Sequence, residues 1–321
     1  MAVYTEVTSD ALRSFLATYD LGDLRSFKGI AEGVENSNFL LQTTAGRFIL
    51  TLYEKRVNVD DLPFFLGLLD HLAERGLTCP RPVYNRAGSV LGEVAGRPAA
   101  IVTFLDGIWI KSPEPHHCAA LGGALAGLHK AGADFAMRRP NALSVSTWPT
   151  LFETARPRAD EVASGLTRDV ATELAFLETQ WPSDLPTGVI HADLFPDNVF
   201  FLDDRLSGLI DFYFACTDAL AYDLAICVNA WCFDTAGAFQ LARAEALIEG
   251  YTNVRPLTPR EIDMLPVLAR GAALRFMLTR LVDWLNVPPG ALVKPKNPLE
   301  YLDKLKFHQG VADARAYGLT S

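Results

Sequence analysis

A chain of 321 residues, 50% hydrophobic and 21% charged, carries too much apolar surface to stay disordered and enough to fill one large domain or two ordinary ones. Its 29 basic against 38 acidic side chains leave a formal charge of −9, which argues against a general nucleic-acid binder, because neutralising phosphates takes a basic surface. No run approaches the ~20 apolar residues of a membrane helix, the first residues form no basic-plus-apolar leader, and five scattered cysteines without a C-x-x-C pair read as reduced, buried thiols, so the expectation is a cytoplasmic protein with no membrane partner.

Taken in chain order, residues 10–19 hold the stripe Leu12, Phe15 and Leu16 of a short amphipathic helix, with Ser9 or Asp10 as its cap. Strand-like pieces follow at 27–31, 39–43 and 47–53, the last two joined by an Ala45-Gly46 turn. Leu62, Phe65, Leu66, Leu69 and Leu72 recur at helical spacing across 60–75, and Gly76 closes that helix. Strand-like segments at 82–84, 90–94 and 97–104 complete an antiparallel sheet carrying one major helix. Beyond Leu105-Asp106-Gly107 the pattern turns helical, at 116–131, 160–180, 223–233, 237–251, 261–285 (with Pro266 a point where it can kink) and 301–317. Short buried β segments at 189–202 and 206–212 interrupt it. The expected class is α+β, with a β-rich lobe over 1–104, a mainly helical lobe over 105–321 and a cleft between them.

The segment richest in chemistry is Ile190-His191-Ala192-Asp193-Leu194-Phe195-Pro196-Asp197-Asn198-Val199, with the spacing H-x-D-L-x-x-x-N, followed by Asp211 in Gly208-Leu209-Ile210-Asp211-Phe212. Phosphoryl transfer needs a carboxylate to take or orient the acceptor hydroxyl's proton, and hard oxygen ligands to hold Mg²⁺ against nucleotide phosphates. One short loop carrying Asp193 and Asn198, with Asp211 returned by a hairpin, supplies that set. A Walker A loop is absent, Asp211-Phe212 is followed by Tyr213 rather than Gly, and no A-P-E segment follows, which disfavours a protein substrate.

This motif resembles the Brenner-type motif of the aminoglycoside phosphotransferase and choline kinase-like superfamily, relatives of the protein kinases. Gly33-Val34-Glu35-Asn36-Ser37-Asn38-Phe39, Phe48-Ile49-Leu50-Thr51-Leu52-Tyr53-Glu54, Leu125-Ala126-Gly127-Leu128-His129 and Val228-Asn229-Ala230-Trp231-Cys232 resemble the homoserine kinases of that superfamily, over nearly the whole chain. The resemblance implies a two-lobed protein kinase-like fold, with a small antiparallel-sheet lobe for the nucleotide and a larger, mainly helical lobe for catalysis and acceptor binding. It implies ATP-dependent phosphorylation of L-homoserine to O-phospho-L-homoserine in threonine biosynthesis, with Mg²⁺ as cofactor and ATP as co-substrate. Another small alcohol as acceptor, or a non-catalytic nucleotide-binding regulator, are the alternatives.

By the same resemblance Asp193 is the catalytic base, His191 orients its loop, and Asn198 and Asp211 are the Mg²⁺ ligands. Gly33, Asn36, Ser37 and Asn38 belong to a nucleotide-covering loop whose backbone N–H and hydroxyl groups can meet phosphate, and Thr103 and Leu105 to a hinge that meets adenine. Thr51 stands where a phosphate-binding lysine is usual, leaving Lys28, Lys55 and Arg56 as replacement cations or as plain surface charges. A small amino-acid acceptor needs a cation and an acid of its own. Arg275 or Arg280 is expected to take its carboxylate and Asp283 its ammonium, unless they form ordinary ion pairs. Asn229 and Trp231 can line the same pocket, and Asp223 reads as a helix N-cap or a structural carboxylate at a helix start.

Overall fold

The computed structural model of the chain describes residues 5–30, 36–54, 57–287 and 295–319. Gly33, Lys55 and Arg56 lie outside them. The chain divides into two compact units, Met1–Gly107 with Ser207–Ile210, and Ile108–Leu206 with Asp211–Ser321.

In the first unit α1 (Ser9–Leu16) is capped by Thr8, one residue before the expected cap, whose hydroxyl accepts the Ala11 N–H at 3.2 Å. Its Leu12, Phe15 and Leu16 are buried as the periodicity requires. The sheet is formed by β1 (Leu24–Gly29), β2 (Ser37–Thr43), β3 (Arg47–Leu52), β4 (Gly92–Val94) and β5 (Arg97–Thr103), all antiparallel, in the order β1-β2-β3-β5-β4. Alternation places Phe39 and Leu41 of β2, Leu50 and Leu52 of β3 and Ala99 and Ile101 of β5 in one core with α1. Residues 82–84 contribute only a bridge from Pro82 to Val102; prolines at 80 and 82 lack the N–H a ladder needs. The major helix α2 (Leu62–Glu74) buries Leu62, Phe65, Leu66, Leu69 and Leu72.

The second unit opens with β6 (Ile108–Trp109) and α3 (Pro115–Ala131), followed by α4 (Trp148–Glu153), α5 (Ala159–Val162) and α6 (Leu166–Gln180). The helix expected over 160–180 is thus two, because Gly165, at φ 79°, turns the chain through the left-handed region between them. Then come β7 (Thr187–Ile190), β8 (Val199–Leu202), β9 (Arg205–Leu209), which runs into the first unit, and β10 (Cys216–Ala219). They lead to α7 (Leu220–Trp231), α8 (Leu241–Thr252), α9 (Pro259–Leu285) and α10 (Pro298–Gln309). Helix α9 continues through Pro266. Helix α10 stops at Gly310, and only a short 3-10 turn, Ala314–Tyr317, follows where a continuous helix was expected.

Two features of this unit position the site. Antiparallel pairing of β7 with β10, Ile190 against Cys216, brings the loop leaving β7 and the segment entering β10 to the same end of one ladder. Helices α3 and α8 cross at glycine: a Cβ on Gly122 would lie 2.0 Å from Leu247 O, and one on Gly250 2.2 Å from Ala119 O. Only hydrogen at both positions allows the backbones to come this close.

Candidate active site

The loop that leaves β7 runs from His191 to Asn198, and many of its backbone groups are held by named partners. Asp223, in the first turn of α7, reaches out of its helix: its Oδ2 accepts the His191 N–H at 2.6 Å and its Oδ1 the Ala192 N–H at 2.9 Å. It is not the helix cap, which is Ala219. The Ala192 carbonyl accepts from Arg275 Nη1 at 2.9 Å. The Asp193 carbonyl accepts from Asn198 Nδ2 at 2.8 Å and from the Phe195 N–H at 2.8 Å. The Leu194 carbonyl accepts from Trp231 Nε1 at 2.8 Å. Ala192 is held at φ 63°, a conformation an L-residue with a side chain adopts only against a cost of about 1–2 kcal/mol, so these anchors are what keep the loop in shape.

Asp193 emerges from this clamp with its side chain 18% exposed. Burial pushes its carboxyl up, to about 6, against the attraction of Arg275 and Lys296. Asn198 donates its amide nitrogen to Asp193 O and, at 3.4 Å, to Asp193 Oδ2, which leaves its carbonyl oxygen as the atom able to face a cation. Asp211 stands at φ 64°, ψ 63°, just before the turn Phe212–Phe214 that enters β10. The Phe212 ring lies 4.5 Å from the ring of His191, which is fully buried. His191 therefore packs the loop against the Asp211 segment. The donor set, an amide oxygen and a second carboxylate beside the loop, suits a hard divalent cation.

Behind the loop a polar chain runs through the helices. His129 of α3 contacts Asp223 Oδ2 through Nε2 at 3.2 Å and the Tyr251 hydroxyl of α8 through Nδ1 at 2.7 Å. Arg255 donates to Tyr251 Oη at 3.1 Å and pairs with Glu261 at 2.9 Å. Burial alone would raise the Asp223 carboxyl, but His129, the charge of His191 and the backbone N–H groups hold it below the ordinary carboxylate range.

The three residues expected at the acceptor separate. Of them only Arg275 is in ion-pair contact with Asp193 among the described residues, at 3.7 Å. Arg280 is committed to Glu300 at 2.7 Å and to Asn297 O at 3.3 Å, over the Tyr301 ring. Asp283 is exposed near the end of α9. Asn229 and Trp231 are both fully buried, Asn229 donating to Ala225 O and Ala269 O and Trp231 to the loop.

In the first unit Thr51, in the usual lysine place, is buried and donates its hydroxyl to Asn38 Oδ1 at 2.8 Å across the β2–β3 pair. Ser37 is buried too and gives its hydroxyl to Glu54 at 2.7 Å, and Asn36 Oδ1 accepts the Glu54 N–H at 3.3 Å. These side chains hold the strand ends together. Glu54 also pairs with Arg97 at 3.2 Å. Thr103 exchanges both backbone and side-chain bonds with Arg81, and Leu105 lies against Gly208.

One further cluster has metal-ligand composition: His116, His117 and Asp204. His117 Nδ1 accepts the Glu114 N–H at 3.0 Å, so the ring proton sits on Nε2 and is donated to Asp204 Oδ1 at 2.8 Å. A metal on that nitrogen would require an imidazolate, and the cluster is a tether between α3 and the β8–β9 turn.

The sequence model of the phosphotransferase enzyme family matches residues 26–257. The chain belongs to that family. It is 66% identical to the homoserine kinase of Methylobacterium sp. (strain 4-46), with all of both chains covered. It is 62% identical to the homoserine kinase of Rhizobium meliloti (strain 1021), covering 99% of this chain and 98% of that one. Among solved structures, an amicoumacin kinase in complex with AMP-PNP and Ca²⁺ superposes with a TM-score of 0.69 at 12% identity, covering 94% of this chain and 92% of that one. A choline kinase from Cryptosporidium parvum Iowa II gives 0.68 at 14% identity, with 94% of each covered. The fold of this phosphotransferase is therefore the kinase-like α+β fold that its motif implied. No helix among the described residues is long and apolar enough to cross a membrane.

Proposed function

We propose that this phosphotransferase moves the γ-phosphoryl group of ATP to the hydroxyl of L-homoserine, giving O-phospho-L-homoserine and ADP, in cytoplasmic threonine biosynthesis. The observation that carries this reading is an intact, rigidly held Asp193–Asn198 loop in a chain matched end to end by homoserine kinases. The hydroxyl's proton passes to Asp193 as its oxygen bonds to the γ-phosphorus and the bond to the leaving ADP oxygen breaks. Arg275 and the buried setting keep that carboxylate in one orientation.

Asn198 Oδ1 and Asp211 would hold Mg²⁺, which when bound neutralises charge on the phosphates. The same class of ion and nucleotide accompanies the amicoumacin kinase. Residues 1–104 take the nucleotide, through the backbone of the Gly33–Asn38 stretch and of Thr103–Leu105. Residues 105–321 take the acceptor and carry the chemistry.

A coupled ADP-release assay with Mg-ATP tests this against L-homoserine, choline, ethanolamine, a sugar and an aminoglycoside. Release with L-homoserine alone is expected. Release with another alcohol and none with homoserine would move the acceptor assignment, and no release with any would favour a nucleotide-binding regulator.

A further inference from the structure

We propose that Arg275 is a positioning residue for the catalytic loop, and that it does not bind the carboxylate of the acceptor. The inference rests on the reading of Asp193 as base and goes beyond it by assigning the buried cation beside that base.

Arg275 sits in the interior of α9, 3% exposed, with its guanidinium 3.8 Å from the centroid of the Phe276 ring and 5.3 Å from that of Phe214. A charge buried at that depth is costly unless its donors are used. One of them is used on the loop: Nη1 donates to Ala192 O at 2.9 Å and stands 3.7 Å from Asp193 Oδ1. One nitrogen thus fixes the peptide that joins Ala192 to Asp193 and faces the carboxylate that follows it.

The position matters because Ala192 is the strained residue of the loop. Asp223 accepts its N–H and Arg275 donates to its C=O, so an anion and a cation hold the two backbone groups of a residue at φ 63°. Without the cation the Ala192 carbonyl loses its donor, and the adjoining peptide is free to rotate toward ordinary backbone geometry. That rotation carries Asp193 with it. Misplacing a reacting group by about 1 Å can cost roughly 10²-fold in rate. A carboxylate clamp has a different requirement: a guanidinium exposed to an entering ligand, where Arg275 is 3% exposed. Phe276 and Phe214 cover Arg275, and its identified polar contacts are loop atoms.

The two roles separate by chemical truncation of the acceptor. 3-Aminopropan-1-ol is homoserine without its carboxylate, with a single hydroxyl. Arg275→Met keeps the length and apolar contact of the stem but removes every donor, and Arg275→Lys keeps one donor group. If Arg275 positions the loop, Arg275→Met lowers kcat about 10²-fold for both acceptors. The ratio of their kcat/KM values then stays within about 3-fold of the wild-type ratio, and the KM for homoserine hardly moves. Arg275→Lys restores part of kcat. In an Asp193→Asn background, where there is no base left to place, Arg275→Met adds little further loss.

A rise in KM for homoserine alone, with kcat kept and the ratio of the two acceptors collapsing toward one, would overturn the proposal and restore Arg275 as the clamp. Equal, additive losses in the presence and absence of Asp193 would overturn it in favour of general fold support. Wild-type turnover by Asp193→Asn would instead remove the base itself, a separate outcome that leaves the two failures distinguishable. Urea unfolding of each variant confirms that the folded enzyme is what is assayed.

Discussion

Asn198 turns its amide nitrogen back onto Asp193, donating to the backbone carbonyl at 2.8 Å and approaching the carboxylate at 3.4 Å. The proposed base and the proposed metal ligand are therefore one mechanical unit: the amide that holds Asp193 in place has its oxygen as the atom offered to a metal. Asp193→Asn is expected to lose turnover by roughly 10²–10⁴-fold, the usual share of a general base, with an unchanged circular dichroism spectrum. Asn198→Asp would put a second carboxylate against the first, and like charges at this range disfavour ionising both. It is expected to lose turnover although it offers a metal an extra charge; recovery of wild-type rates at high Mg²⁺ would contradict this account.

Asp223 is another of the loop's anchors, and its replacement separates stability from chemistry. In Asp223→Asn the two backbone N–H groups of residues 191 and 192 must share one amide oxygen, and His129 loses its anionic partner. Removing one member of a buried pair costs about 3–5 kcal/mol. Urea unfolding should show a loss of that size, with kcat falling at any temperature where the variant is still folded. A loss below about 1 kcal/mol would mean that the polar chain behind the loop carries little of the load.

The catalytic loop is legible in the sequence because its chemistry is local: Asp193, Asn198 and the turn between them lie within six residues, and β-strand patterning flanks them. Its anchors are not. Asp223, Trp231 and Arg275 reach it across 32, 37 and 83 positions of chain. Periodicity reports which face of a helix is apolar, but it cannot say that a polar residue on that face will meet a carbonyl on a distant loop. Arg275 borders the apolar stripe of α9 for that reason, although an acceptor role is the simpler reading of a cation there. In the sheet the alternation of Phe39, Leu41, Leu50 and Leu52 sufficed, because a two-residue period fixes the buried face directly. Helix ends were harder, since Gly165 and Gly310 interrupt patterns whose apolar spacing continues past them.

Close helix crossing is a further condition for the site. His129 of α3 and Tyr251 of α8 can bond at 2.7 Å only while the two helices stay in contact at Gly122 and Gly250. Gly250→Ala places a methyl 2.2 Å from a backbone oxygen that cannot rotate out of the way. Overpacking of this kind costs about 1–3 kcal/mol, and helix propensity, which favours alanine, returns at most ~1 kcal/mol. The expected result is a lower unfolding midpoint and reduced kcat. A stabilised Gly250→Ala would show that the crossing is looser than this geometry.

Protonation of His308 should set part of the enzyme's acid stability. Asn229 spends its amide hydrogens on Ala225 O and Ala269 O, so its Oδ1 must accept from His308 Nε2, and His308 Nδ1 is left to accept from the Tyr317 hydroxyl at 2.8 Å. Every ring position of the neutral imidazole is satisfied, and an added proton on Nδ1 would face the hydroxyl that already donates to it. Phe233 and Phe307 pack around the ring. Burial, with the charges of Lys304 and Arg270, pushes its pKa down to about 3. The unfolded chain takes the proton near pH 6.5 while the folded chain refuses it until about pH 3. Between those values the unfolded state binds more protons, so stability must fall as the pH is lowered from about 6.5 toward 3. His308→Gln keeps a donor and an acceptor but cannot titrate. Comparing urea unfolding of the two proteins at pH 8 and pH 5, the gap between the two pH values should be smaller for the variant by about 2 kcal/mol, the size expected for a proton withheld across 1.5 pH units. An equal gap in both proteins would place the acid sensitivity in other groups.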